Sequence, residues 1–416
     1  MIQTLNNKNY RALWIAACFW YTARWTELFL LVLLVLDITD SVFWVGLATF
    51  LRVIPLPVLG IPLGRIADRV NRKKMLAVVQ TAQFTGMLLT GLFLLTEIIG
   101  LWWIVAVTLI MGAGWAGDYT SRRPLTHDIM GPEKITSAMS LDLVGLFGGR
   151  LIGPVTGGLI KTQLGLSYAY LMVAGCYLSG LISLYFVKVR HSPTTVENTT
   201  LVATTTTRQP TMKDAFKYLV TTKHIIGALI TSVILNTFIA PYAQFIPVIA
   251  KETLHVGELL AGMLISAEGL GALIGCLILV TRPQLEYHGR YFIFGMLGFC
   301  TAIVLFTFSE HYFLALFLVG ISGVALSGYA IMQFTLMLVF PPKSMQGFAV
   351  GAMLIAQGGW SLGSLEVGLL ANFLGASNAM TISATTGLLL GLIVFLSVPE
   401  LRKRTSEILR GTSYQF

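Results

Sequence analysis

The sequence predicts an all-α integral membrane protein, with twelve transmembrane helices in two pseudo-symmetric halves of six. Three observations predict it. The 416 residues are 55% hydrophobic and 11% charged, with a mean hydropathy of +0.77, against about 45–50% apolar and about 25% charged in soluble domains. Apolar runs long enough to cross a bilayer, roughly 20 residues each, follow one another with short breaks between them. Basic residues crowd into alternate breaks, as expected of a chain that crosses a membrane repeatedly.

Taken in order, Ala12–Leu36 opens the series. It carries Arg24 and Glu27, is too long for a signal-peptide core and shows no small-residue cleavage site, so it is expected to remain as helix 1. Val42–Ile66 and Lys74–Thr96 flank the charged segment GRIADRVNRKKM, Gly64–Met75. Leu101–Tyr119, Ile135–Ile160 and Ser167–Val187 complete the first half. A Thr-rich stretch without apolar periodicity, His191 to Pro210, reads as a flexible linker. The second half comprises Ile225–Ala250, where Pro241 and Pro247 predict a kink, then Val256–Val280, Tyr291–Phe308, Tyr312–Val339, Gln346–Phe373 and Ala376–Val398. The expected organisation is an N-terminal half over 1–190, a cytoplasmic linker over 191–220, a C-terminal half over 221–398 and a cytoplasmic tail over 399–416. A weak repeat supports the division. GPEKITSAMSL precedes helix 5 much as PPKSMQGFAVG precedes helix 11, and paired halves around a midplane site are a common transporter plan.

With helix 1 starting inside, 23 of the 28 Lys and Arg fall on the inner side, and only Lys161 and Lys251 on the outer. The positive-inside rule then places both termini in the cytoplasm, in a multi-pass protein of the inner (plasma) membrane. Insertion and contact with anionic headgroups account for the net charge of +9 without nucleic acid. The four cysteines follow no disulfide or metal spacing and read as small apolar packers, so no metal or other cofactor is expected. No Lys follows a Gly, which removes the nucleotide-binding phosphate loop. All six histidines lie in loops or at span ends, and H-E-x-x-H is absent, which argues against an enzyme.

Two segments carry motif-like order. In the first, Gly64 permits close helix approach, and Asp68 can accept hydrogen bonds from a neighbouring helix N-terminus. Breaking that contact would release one half from the other, so Gly64, Asp68, Arg69 and Arg72 are expected to form a cytoplasmic gate, while Lys73 and Lys74 read first as topology anchors. In the second, GRLIGPVTGG, the residues Gly149, Gly153, Pro154, Gly157 and Gly158 make a smooth helix face suited to packing between halves that slide.

The first order resembles the signature loop of the major facilitator superfamily, G-x-x-x-D-R-x-x-R-[RK], with Asn71 in place of the usual Gly. The second resembles the helix 5 motif G-x-x-x-G-P-x-x-G-G of its drug/proton antiport branches. Over most of its length the chain is similar to the branch of enterobactin exporters and macrolide efflux proteins. That resemblance implies the major facilitator fold and efflux of a small molecule from the cytoplasm, coupled to protons. One departure is that Thr108 stands where proton-coupled exporters usually carry an Arg early in helix 4.

Ionisable residues within spans are functional candidates, each costing about 2.5–3.5 kcal/mol on insertion scales at a helix centre. Arg24, Glu27, Arg52, Arg150 and Glu268 fall at mid-depth; Asp118 and Asp142 lie nearer the inner side, and Glu366 nearer the outer. Arg24 and Glu27, spaced i,i+3, have the option of neutralising each other. Three arginines against one glutamate in the N-half leave a surplus of positive charge that must find an acid, in a substrate or in the protein. Glu268, at mid-depth in helix 8, is the proton-coupling candidate, because a carboxyl that alternates between environments exchanges a proton. Arg150 suits planar carboxylate recognition, in a substrate or across the halves, with a static pair to Asp118 or Asp142 the alternative. Trp20, Tyr21, Trp25, Trp115, Asn236, Tyr242, Gln244, Tyr329, Gln333, Gln357 and Trp360 are candidates to line the cavity.

The expectation is a secondary transporter, monomeric and embedded in lipid, exporting a small molecule by alternating access with proton antiport. The substrate class spans siderophores, drugs and metabolites, with room for an anionic group. An importer, a uniporter or a lipid flippase of the same fold is the alternative.

Overall fold

The computed structural model describes residues 2–188, 212–280, 286–342 and 345–405, apart from a few side chains within them. Twelve helices among these residues are long and apolar enough to cross a membrane. They are α1 (Lys8–Thr39), α2 (Val42–Val53, continued by Pro55–Arg69), α3 (Arg72–Leu95), α4 (Leu101–Gly131), α5 (Ser137–Leu164) and α6 (Leu166–Tyr185). The second half contains α7 (Lys223–Ile234, continued through Leu235–Ile239 and Tyr242–Glu252), α8 (Glu258–Val280), α9 (His288–Thr307), α10 (Tyr312–Val339), α11 (Gln346–Gln357, continued by Gly359–Leu374) and α12 (Ala376–Ser397). Each corresponds to a predicted span. Together they form two six-helix halves.

Local chemistry sets the ends and breaks. Asn7 caps α1, its Oδ1 accepting from the amides of Asn9 (3.0 Å) and Tyr10 (3.2 Å). Asn71 caps α3 in the same way, accepting from Lys73 (2.9 Å) and Lys74 (3.3 Å). A Gly at that place would have no side chain to cap with. The hydrogen-bond ladder of α2 is interrupted at Ile54 and Pro55, since Pro lacks the amide that would continue it. In α7, Pro241 likewise leaves the Thr237 carbonyl without its helical partner, the turn before it widens to a π-helix over Leu235–Ile239, and Gly363 of α11 packs directly on that carbonyl.

Helix α4 runs well past the predicted Tyr119 and joins α5 through Gly131, at φ 69° and ψ 172°. That positive φ favours Gly. Of the expected linker 191–220, the stretch before residue 212 lies outside the described residues, and Met212–Thr221 forms a short amphipathic helix.

Inter-half packing relies on backbone meeting backbone. A Cβ at Gly158 of α5 would meet the Glu258 carbonyl of α8 at 2.7 Å, and one at Gly269 the Leu151 amide at 2.6 Å. Gly262 sits against the Pro154 carbonyl. On the other side, Gly46 of α2 faces Ser364 and Gly368 of α11, and Gly358 faces Pro57 at 3.1 Å. The Gly-rich stripe of α5 therefore has two faces, which corrects the expectation that all of it joins the halves. Pro154 and Gly158 meet α8, whereas Gly149, Gly153 and Gly157 pack on Tyr21, Thr22 and Thr26 of α1 in their own half.

Candidate functional site: a charge cluster at mid-depth

Five charged side chains meet at mid-depth and sort into two pairs and one remainder. Glu27 of α1 accepts from Arg52 of α2 through Nε (3.2 and 3.1 Å) and Nη2 (2.9 Å), with both side chains 2% exposed. The option of Arg24 with Glu27 is thus not taken, because the bidentate fork of Arg52 occupies both carboxylate oxygens. Arg52 is held there by the break at Pro55, where Gly112 of α4 packs against the Arg52 carbonyl.

The second pair spans the halves. Arg150 Nη2 of α5 lies 2.5 Å from Glu268 Oε2 of α8, and Glu268 is fully buried. Arg150 Nε and Glu268 Oε1 have no hydrogen-bond partner among the described residues. The static alternative is filled otherwise: Asp118 pairs with Arg122 on the same helix, and Asp142 accepts from the Tyr21 hydroxyl at 2.9 Å.

Arg24 is the remainder. It is 5% exposed and makes no ion pair or hydrogen bond among the described residues. Its guanidinium carbon lies 3.9 Å from the centre of the Trp115 ring, 4.9 Å from Trp25 and 5.7 Å from Trp20. Arg150 covers Trp25 at 4.3 Å. Trp115 also meets Trp360 of the other half edge-on, with ring centres 5.8 Å apart. Trp360 donates to Gln244 at 3.2 Å, and Trp20 to Gln83 at 2.9 Å.

The C-half contributes neutral polar groups. Asn236 donates to the Tyr329 hydroxyl (3.3 Å), and Gln357 to Gln333 (3.3 Å). Tyr242 is buried against Phe299, and its hydroxyl has no partner among the described residues. Thr108, at the position where an Arg is absent, is buried with its hydroxyl likewise unpartnered. Glu366 stands half-buried and forms no ion pair among the described residues. A recess of about 510 Å³ on the flank of the C-half, lined by Arg290, Tyr291 and Ser327 among others, is separate from this cluster.

The Gly64 segment is not drawn into the cluster. A Cβ at Gly64 would reach only Thr120 at 3.9 Å, an ordinary contact, so no close helix approach depends on it. Arg72 pairs with Asp128 of α4 in its own half at 2.6 Å, and Arg69 is exposed. The side chain of Asp68 lies outside the described residues.

One arrangement escaped the sequence. Lys161, at the end of the bundle opposite the termini, lies 2.9 Å from Asp37 of α1 and 3.3 Å from Glu258 of α8, tying the halves there. Its rarity on that side was the available signal, and it reads as topology alone when no partner is visible.

Comparison with known proteins agrees with this architecture. A family model described as "Transmembrane secretion effector" matches residues 2–411. The Enterobactin exporter EntS of Salmonella typhi is 24% identical over 363 residues, covering 82% of this chain and 80% of its own. That of Citrobacter koseri is 24% identical over 360 residues, with the same coverage. Among solved structures, a peptide transporter POT in complex with sulfate superposes with a TM-score of 0.71 at 12% identity, covering 95% of each chain. The nucleoside transporter NupG gives 0.67 at 13%, covering 94% of this chain and 98% of its own. Such likeness at low identity shows the fold. The chain is a multi-pass transporter of a small molecule, and it belongs to the transmembrane secretion effector family within the major facilitator superfamily.

Proposed function

We propose that the chain exports its substrate from the cytoplasm by alternating access, exchanging it for protons at the Arg150–Glu268 pair. The observation that supports this most directly is that the pair joins the two halves at mid-depth, so its strength bears on whether they separate. Glu268 Oε1 retains an unused lone pair, the place where a proton would add. Protonation turns the carboxylate into a neutral acid, removes the attraction to Arg150 and frees the guanidinium for the next step. Deprotonation on the other side restores the pair.

Export suits the basic end as the cytoplasmic one, given the crowding of Lys and Arg there. The Lys161 tie and the glycine contacts of Gly46 and Gly158 then hold the outer end, leaving substrate to enter from within. The similarity to the enterobactin exporters supports the same direction. One chain supplies both halves, so a monomer suffices.

The test is Glu268→Gln in proteoliposomes with an imposed pH gradient. Flux driven by the gradient should vanish while substrate binding persists; an unchanged dependence on the gradient overturns the coupling role.

A further inference from the structure

We infer that Arg24 is the anchor for the acid group of an organic monoanion whose aromatic ring lies beside it among the tryptophans. The inference rests on the reading above that this midplane cluster is the transport site.

Charge bookkeeping at mid-depth carries it. Arg24, Arg52 and Arg150 face Glu27 and Glu268, and the two carboxylates are committed to Arg52 and Arg150. Arg24 stands in the field of Glu27, which attracts it, and of Arg52, which repels it. The remaining acids do not reach it: Asp118 is held by Arg122, Asp142 by Tyr21, and Asp37 by Lys161. One positive charge is left over, which sets the complement at a single negative charge.

The surroundings set the rest of the ligand. A guanidinium carries five N–H donors in a planar fork, and those of Arg24 make no hydrogen bond among the described residues. The rings of Trp20, Trp25 and Trp115 offset part of its lost hydration but accept no conventional hydrogen bond. A carboxylate would fill that fork bidentately. The indole N–H of Trp25, buried without an acceptor, is a further donor beside it. Trp115 and Trp360 present ring surface from opposite halves, suited to a flat apolar body attached to the acid.

The test uses the purified full chain in nanodiscs and calorimetric titration with naphthoate, its neutral isostere naphthamide, and the non-aromatic acid cyclohexanecarboxylate. Naphthoate should bind at least about tenfold more tightly than either, as charge-assisted pairing and stacking together require. Arg24→Gln should bring naphthoate down to the level of naphthamide, and Arg24→Lys should retain a preference for the anion. Trp115→Leu should weaken naphthoate more than cyclohexanecarboxylate. Equal affinity for naphthoate and naphthamide in the unaltered chain overturns the inference, as does a preference that survives Arg24→Gln. Should Arg24→Gln fail to fold, the unaltered chain and Arg24→Lys still decide it through the naphthoate-to-naphthamide ratio. Outward flux is measured separately. Export of other solutes without anion preference overturns the Arg24 site and leaves export standing, whereas anion preference without outward flux does the reverse.

Discussion

At the residue scale, identical side chains acquire different uses from their partners. Arg52 and Arg150 both meet a glutamate, but Arg52 does so inside one half and Arg150 across two. The first pair is therefore expected to be structural. Glu27→Gln should cost about 3–5 kcal/mol, because it leaves a guanidinium buried and unpaired. Adding Arg52→Gln should recover much of that loss, and thermal unfolding in detergent distinguishes the two variants. The candidate residues are legible in sequence, since a charge in an apolar run stands out against its neighbours. Their partners are not. The residues of the Arg150–Glu268 pair are 118 positions apart, and the local i,i+3 option of Arg24 with Glu27 loses to a partner 25 positions away. The same distance hides the role of Lys161, whose acids lie on two other helices.

At the element scale, hydropathy recovers the spans because each must be apolar over its own length, whatever it packs against. The break at Pro241 is visible as well, since proline removes a donor, whereas Val42–Ile66 reads as one span and hides the break at Pro55, and Pro247 lies inside the continuous helix Tyr242–Glu252. The linker helix Met212–Thr221 is not, because ten residues beside a Thr-rich stretch give little periodicity to read. Nor can glycine spacing alone divide the α5 stripe between α1 and α8. Gly262 and Gly347 give a close-packed and an open position to compare. Gly262→Val forces a side chain into the Pro154 carbonyl, so transport should fall at least about tenfold while the halves stay folded. Gly347→Ala, with nothing within 4 Å of the added carbon, should transport normally. Gly131→Ala, at φ 69° and ψ 172°, should lower stability by about 1–3 kcal/mol in the same unfolding assay.

At the scale of the whole molecule, the halves are held at mid-depth by Arg150 and Glu268 and at the far end by Lys161. The far-end pairs are partly exposed, with Asp37 and Glu258 at 47% and 40%, so each contributes at most about 1 kcal/mol. Only the Lys161–Glu258 pair joins the two halves, so Lys161→Ala should raise labelling of a cysteine placed at Ser364 by no more than about fivefold, as expected from the loss of that one pair. Labelling in high salt should show less difference between the two proteins, since screening weakens the tie that only the unaltered protein has. The same separation of halves has an optical consequence. Trp115 and Trp360 belong to different halves, stand at 79° to one another, and Trp360 is oriented by its bond to Gln244. Two indoles fixed so closely couple their electronic transitions and give a paired band of opposite signs in circular dichroism. Each time the bundle parts between α4 and α11 that band should collapse, so the protein carries its own unlabelled spectroscopic clock for the transport cycle.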